Sequence, residues 1–160
     1  MSENMDGMES GASATAAETE AGQKPPQARP HPLDVLGHVA WLAMNAPSHR
    51  HLFLADLEWL VLPALQTGQF RLFHRDGLPA AYASWALVNE EVEARLASGV
   101  FKLKPAEWRC GDRVWLIDLI APPAEAQAVT DELRRTVFAG VTVKTVGPSP
   151  DGRGMAVMKV

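Results

Sequence analysis

The sequence has almost no cysteine, the residue whose disulfides stabilise many secreted proteins. It also lacks the long apolar runs of membrane-spanning proteins. Its single cysteine, Cys110, excludes an internal disulfide and is typical of a reducing compartment. The sequence contains no run of about 18 apolar residues, the length needed to cross a bilayer. It also does not begin with a basic segment followed by an apolar one. We therefore expect a cytoplasmic protein without stable membrane insertion.

The first 32 residues differ in composition from the rest. They are rich in Gly, Ala, Ser, Glu and Pro, and contain no aromatic residue and no apolar periodicity. Such a segment cannot bury enough surface to offset the entropy lost on ordering, so residues 1–32 are predicted to be a disordered tail. With five acidic and two basic residues, the tail carries −3 of the net charge of −4. The remaining domain, residues 33–160, is nearly neutral, and nucleic acid is not an expected partner.

The apolar pattern of residues 33–160 predicts an α/β (α+β) domain. We predict helices over 33–44, 48–68, 89–98 and 124–138, and strands over 69–75, 78–88, 112–120, 141–146 and 155–160. Ser48 is expected to cap the second helix, which Pro63 and Gly68 close. The strand 112–120 is so apolar that both its faces should be covered. The element order predicts a mostly antiparallel mixed sheet, centred on that strand, with helices on both faces.

Three segments occur in a fixed order that is informative about function. They are LGHVAWLAMNAPSHR (36–50), AYASWAL (81–87) and GDRVWLIDLIAP (111–122). Together they resemble the RTX-toxin-activating lysine acyltransferases, cytoplasmic enzymes that move a fatty acyl group from acyl carrier protein onto lysines of a protoxin. The resemblance covers residues 33–160 and implies a GNAT-like acyltransferase domain whose partners are an RTX protoxin and acyl carrier protein. The sequence leaves open whether the protein is a monomer or a homodimer.

His49 is the first candidate catalytic residue. At the start of a helix, the dipole disfavours protonation of an imidazole, which can then act as a base near neutral pH. The alternative is an ordinary surface histidine of the first turn. The resemblance implies the catalytic role, because His49 matches the family's catalytic histidine.

Asp118 and Tyr82 are the other candidate catalytic residues. A carboxylate inside the apolar strand 112–120 needs compensation, either from backbone amides or from a functional partner such as His49. Tyr82 could donate to a developing oxyanion or could be a half-buried strand aromatic. Asp118 matches the family's catalytic aspartate and Tyr82 an active-site tyrosine. Ser84 lies on the same strand face as Tyr82 and is a candidate substrate-binding residue, although a structural role is the simpler alternative.

The residues after the predicted central strand bear on the acyl donor. GNAT enzymes that use coenzyme A carry a glycine-rich pyrophosphate loop there, whereas this chain has Ala121-Pro122-Pro123-Ala124. We therefore expect no bound cofactor and an acyl-acyl carrier protein donor, whose acidic surface would approach basic residues such as Arg50, Arg71, Arg109 and Arg113. Arg113 is our candidate substrate-binding arginine. The histidines include no HExxH pattern, so no metal is predicted.

Several positions depart from the family pattern. Leu60 stands where the family has an asparagine before Val61-Leu62-Pro63, Ala83 replaces a cysteine, and Pro123 ends the IAPF motif. Two rival functions therefore remain open at this stage. One is a degenerate member that has lost catalysis and serves as a protoxin-binding chaperone. The other is an acyl-CoA-dependent small-molecule N-acyltransferase.

Overall fold

A computed structural model describes residues 30–149, 151–152 and 154–160. The predicted tail therefore lies outside the described residues, apart from its last three positions. Pro32 is already the first residue of a helix, and the Nδ1 atom of His31 accepts a hydrogen bond from the amide of Leu33 at 3.3 Å. None of the helices in the described part of the chain has both the length and the apolar character needed to cross a bilayer.

Five helices and five strands make up the described domain. The helices are α1 (Pro32–Asn45), α2 (Leu57–Leu60), α3 (Leu62–Thr67), α4 (Glu90–Ala97) and α5 (Ala126–Thr136). The strands are β1 (Phe70–Arg75), β2 (Leu78–Val88), β3 (Arg113–Ile120), β4 (Val143–Pro148) and β5 (Met155–Lys159). They form one sheet in the order β1-β2-β3-β4-β5, in which only the β3-β4 pair is parallel. The predicted fold class and the central position of β3 are thereby confirmed.

The sheet is covered on both faces. The side chains of Tyr82 and Ala86 on β2 pack into clusters with α1 to α4, and this side is called the α1 face below. Ala81 and Ala83, the residues on either side of Tyr82, pack with α5 on the opposite face. The strict alternation along β2 follows from the two-residue period of a strand, so every second residue of β2 from Tyr82 onwards faces α1.

The predicted second helix is wrong in its first part. Residues 47–51 form turns instead, and a 3-10 turn over Leu54–Asp56 precedes α2. Asp56 explains the late start, because its carboxylate accepts hydrogen bonds from the amide of Phe53 at 2.9 Å and from Nε1 of Trp59 at 3.0 Å. This cap fixes the beginning of the helical segment at residue 54. Ser48 is consequently not a helix cap, and His49 is not in the first turn of a helix.

A β-bulge in β3 sets which side chains reach the α1 face. Ser84 pairs with Asp118 and Trp85 pairs with Leu116, so Ile117 has no partner on β2. Leu116 and Leu119 pack on the α5 face, whereas Ile117 packs on the α1 face. Because one extra residue interrupts the alternation, Ile117 and Asp118 both lie on the α1 face. Without the bulge, Ile117 and Asp118 would lie on opposite faces.

Gly111 should be essential to the approach of β3 to β2. A Cβ atom built on it would lie 2.3 Å from the carbonyl oxygen of Val88, which is backbone and cannot move aside cheaply. We expect Gly111→Ala to lower the free energy of unfolding by about 1–3 kcal/mol. Gly37→Ala is the matched control, because it lies within α1 with open space around it and should raise stability by about 0.5–1 kcal/mol. Urea unfolding of both variants tests this contrast, and equal effects would contradict it.

Candidate active site

His49 and Asp118 meet although 69 positions separate them in the chain. The imidazole Nε2 lies 2.8 Å from Oδ1 of Asp118, and the two side chains are only 14% and 11% exposed. The turn after α1 holds the histidine, because the amide of His49 bonds to the carbonyl of Ala46 at 3.0 Å and its own carbonyl accepts from the amide of Leu52 at 3.0 Å. The contact therefore joins this turn to the bulge of the central strand.

The hydrogen bonds fix which ring nitrogen is free to react. An ionised carboxylate only accepts hydrogen bonds, so Nε2 of His49 carries the proton that faces Asp118. In the neutral ring, Nδ1 is then the basic nitrogen, and it accepts from the Ser48 hydroxyl at 2.8 Å. Ser48, His49 and Asp118 thus form a continuous hydrogen-bonded series with Nδ1 towards solvent-exposed Ser48. Ser48 therefore contacts the ring instead of capping a helix, a role that its position in the sequence does not indicate.

The electrostatic setting of His49 is the reverse of the one expected from the sequence. The hydrogen bond to Asp118 raises the pKa of His49 above its usual value, burial opposes this rise, and the charge of Asp118 adds to it. A helix N-terminus would have lowered the pKa, but the turn at 47–51 provides none. His49 is therefore a stronger base than a free imidazole, stabilised in its protonated form by the carboxylate.

Three buried polar atoms complete the cluster on the α1 face. The Tyr82 and Ser84 side chains are fully buried, and neither hydroxyl has a hydrogen-bond partner of good geometry among the described residues. The second carboxylate oxygen of Asp118, Oδ2, is also unpartnered there. Burial raises the pKa of Tyr82 far above its usual value, and the nearby Ser84 hydroxyl only partly opposes the rise. The phenol therefore stays protonated and can donate a hydrogen bond to a bound group.

The structure does not bring Arg113 to this cluster. Arg113 begins β3, five residues before Asp118, which separates the two by roughly 16 Å along a strand. Its guanidinium lies 3.2 Å from a carboxylate oxygen of Glu90 and 3.4 Å from one of Glu93. These ion pairs hold Arg113 at the opposite end of the sheet from His49.

The described residues contain no group of three or more His, Cys, Asp or Glu side chains arranged to hold a metal ion. Cys110 accepts a hydrogen bond from the amide of Asn89 at 3.4 Å, away from the His49 cluster.

The bulge residue Ile117 is the main feature that the sequence did not predict. Its one available signal was the carboxylate of Asp118 within an otherwise apolar strand, since a bulge is one way to direct such a residue to a site.

Comparison with known proteins places the chain in a family. A family model described as the RTX toxin acyltransferase family matches residues 29–160. The chain belongs to this family. It is 38% identical over 120 residues to the protein-lysine myristoyltransferase RtxC of Kingella kingae, covering 74% of this chain and 72% of that protein. The resemblance drawn from the three sequence segments is thereby confirmed.

Two further relatives carry related names. The RTX-I toxin-activating lysine-acyltransferase ApxIC of Actinobacillus pleuropneumoniae is 39% identical over 120 residues, which cover 75% of this chain and 69% of the relative. The protein-lysine myristoyltransferase HlyC of Escherichia coli is 40% identical over 104 residues, which cover 65% of this chain and 61% of the relative. This last match spans less than two thirds of its relative's length.

The raised pKa of His49 predicts a measurable titration. A base acts in its neutral form, so the acidic limb of the rate profile of kcat/KM should lie above pH 6.5, the usual pKa of histidine. Asp118→Asn removes the negative charge and should lower both the His49 pKa and that limb. NMR titration of the His49 ring measures the pKa independently of activity. The matched control is Asp112→Asn, an exposed aspartate near the start of β3, which should leave the titration unchanged. A His49 pKa that does not fall in Asp118→Asn would refute this account.

Proposed function

We propose that this member of the RTX toxin acyltransferase family transfers a fatty acyl group to internal lysines of an RTX protoxin. The observation that carries the proposal is the hydrogen bond between His49 and Asp118, which gives the chain a partly buried and activated base. The relatives' names, protein-lysine myristoyltransferase and toxin-activating lysine-acyltransferase, indicate the same reaction and the same class of acceptor. We infer that the protein acts in the cytoplasm.

His49 has a defined task in this reaction. A lysine amine is protonated at neutral pH, so it must release one proton to solvent before attacking a thioester carbonyl and a second proton as the amide forms. Nδ1 of His49 accepts a proton as the C–N bond forms, and Asp118 stabilises the resulting imidazolium. When the C–S bond breaks, the same nitrogen returns the proton to the leaving thiolate. A second route, in which Nδ1 itself carries the acyl group before the amine attacks, uses the same residues and would show burst kinetics.

The remaining polar groups fit the other demands of acyl transfer. The protonated Tyr82 hydroxyl is the donor that we assign to the oxyanion. Oδ2 of Asp118 and the Ser84 hydroxyl could bind the attacking amine. These roles account for buried polar atoms that a purely structural site would be expected to pair.

A cleft in the sheet supports a thioester donor with a long, narrow arm. Between the described strands β3 and β4, the backbone pairs are Val114 with Val143 and Trp115 with Lys144, after which only the Thr145 hydroxyl reaches across, to the carbonyl of Leu116 at 3.1 Å. A cavity of about 190 Å³ lies between the separated strands and is lined on the β3 side by Ile117, the neighbour of Asp118. A phosphopantetheine arm entering there would bring its thioester towards His49. The same separation of parallel strands supports the expected GNAT-like fold.

The loop after β3 favours acyl carrier protein over coenzyme A. Pro122 and Pro123 have no amide hydrogen, and two of the amides that follow, those of Glu125 and Ala126, already bond to the carbonyl of Pro122 at 2.8 and 3.1 Å. These groups cannot hold a pyrophosphate without breaking hydrogen bonds. A carrier protein needs only its arm in the cleft, because its own surface provides the remaining contacts.

The donor preference can be measured directly. Transfer from a long-chain acyl carrier protein should exceed transfer from the matching acyl-CoA at least about tenfold in kcat/KM, equivalent to roughly 1.4 kcal/mol. The assay compares donors with the same acyl chain and reads the mass added to lysines of an RTX protoxin. Equal rates would reject the carrier protein, and acetyl-CoA as the sole working donor would favour the small-molecule N-acyltransferase.

The role of His49 has its own test in the same assay. His49→Ala should reduce lysine acylation by about 10²–10⁴ fold, the usual contribution of a positioned base. His51→Ala is the matched control, because this exposed histidine lies in the same turn. Retention of more than about a tenth of the wild-type rate would show that His49 is not the base. A wild-type protein that binds protoxin without acylating it would instead be the chaperone.

A further inference from the structure

An apolar groove opens beside the proposed base. It lies between the C-terminal half of α1 and the loop that precedes α2, and its lining includes Ala40, Met44, His49, Phe53, Leu54 and Leu57. Its volume is about 220 Å³. We propose that this groove, called the His49 groove below, binds the fatty acyl chain of the donor. The inference rests on the proposed acyl transfer and adds to it the place where the hydrocarbon lies.

The lining of the His49 groove is unusually apolar for an accessible surface. Met44 is 66% exposed, Phe53 77% and Leu54 83%, and all three line the same depression. Clustered large apolar side chains of this kind mark binding surfaces, whereas scattered ones need no explanation. Asp56 holds the loop in place through its bond to the Phe53 amide, so the exposure of these side chains belongs to a defined loop conformation.

The position of His49 identifies the occupant. A reacting carbonyl carbon must come within about 3–3.5 Å of the attacking group, so the acyl chain has to begin beside this imidazole. Methylene groups are stabilised when they leave water, so an apolar surface at that point is the favoured place for the chain. Relatives named as myristoyltransferases transfer a saturated chain of this chemistry. Arg50 is the only residue of the groove with a permanent charge.

The two openings around the site suggest a continuous path for the donor. The β3-β4 cleft ends at Ile117, the next residue, Asp118, bonds to His49, and His49 lines the groove. A thioester arm in the cleft would therefore present its carbonyl at His49 and its hydrocarbon to the groove beyond.

A larger cavity nearby is the main competitor for the chain. It has a volume of about 370 Å³ and lies between α1, the β1-β2 hairpin and the end of β3. Its lining includes the charged residues Arg75, Asp76 and Glu125, but none of the residues assigned to catalysis. Leu78, 62% exposed, lies at this cavity and provides a way to test it.

The test compares chain lengths rather than overall activity. Initial rates of lysine acylation would be measured with tetradecanoyl and butanoyl acyl carrier protein, for the wild type and for Leu54→Ser. We expect the preference for the longer chain, as the ratio of the two kcat/KM values, to fall about fivefold, mainly through KM for the longer donor. Leu33→Ser is the matched control, because Leu33 is 68% exposed at the far end of α1. It should leave the ratio unchanged.

Each other outcome has a distinct meaning. A fall in the ratio with Leu78→Ser and not with Leu54→Ser would assign the chain to the larger cavity and overturn the proposal. An equal loss for both donors in Leu54→Ser would make the groove a docking surface for a protein partner and would also overturn it. A wild-type protein that transfers neither chain would contradict the proposed function itself, so the two failures are distinguishable.

A variant that fills the groove provides an independent check. Ala40 is half-buried in α1, and Ala40→Leu keeps a strong helix former while placing three more carbon atoms at the groove. The preferred chain should become shorter, with a thermal midpoint near that of the wild type. An unchanged length profile in a folded Ala40→Leu protein would count against the His49 groove.

Discussion

The hydrogen bond between His49 and Asp118 is the contact on which the candidate site depends. It requires two separate pieces of local structure, the turn that follows α1 and the bulge that directs Asp118 to the α1 face. Neither piece has this effect alone. A regular β3 could not place both Ile117 and Asp118 on one face, and a helix in place of the turn at 47–51 would hold the imidazole in a different position. The contact also explains the chemistry, because the carboxylate that orients the ring makes it a stronger base.

Burial acts in opposite ways on the two ends of this site. For Tyr82, burial raises the pKa and keeps the phenol protonated as a donor. For His49, burial disfavours the charged ring, but the hydrogen bond to Asp118 is the larger effect and favours it. The same face of the sheet therefore holds a phenol that stays a hydrogen-bond donor and an imidazole that can accept a proton. Acyl transfer to an amine needs both functions within reach of one carbonyl.

Local patterns were sufficient to predict much of the fold. The strand Leu78–Val88 was predicted with the bounds that it has, because the Asp76-Gly77 turn and its apolar pattern are local signals. The start of α2 was missed because the cap at Asp56 overrides the apolar periodicity before it. The bulge at Ile117 was missed because a uniformly apolar strand has no alternation of apolar and polar residues whose interruption would reveal an extra residue. The catalytic roles of the residues stay predictions, whereas their proximity follows from the structure.

The partners of Arg113 explain how the opposite end of the sheet supports the site. Glu93 on α4 accepts hydrogen bonds from Nε1 of Trp115 and from Nζ of Lys144, each at 2.9 Å, and lies 3.4 Å from the Arg113 guanidinium. Trp115 and Lys144 are themselves one of the two residue pairs that join β3 to β4.

Burial would raise the pKa of Glu93, but these hydrogen bonds and positive charges lower it, so the carboxylate stays ionised. The cluster thus holds β3 and β4 together at one end, and the cavity between the two strands lies beyond it, beside Leu116 and Ile117. Arg113, the one charged residue of this cluster that the sequence suggested for substrate binding, thus forms ion pairs at the end of β3 away from His49.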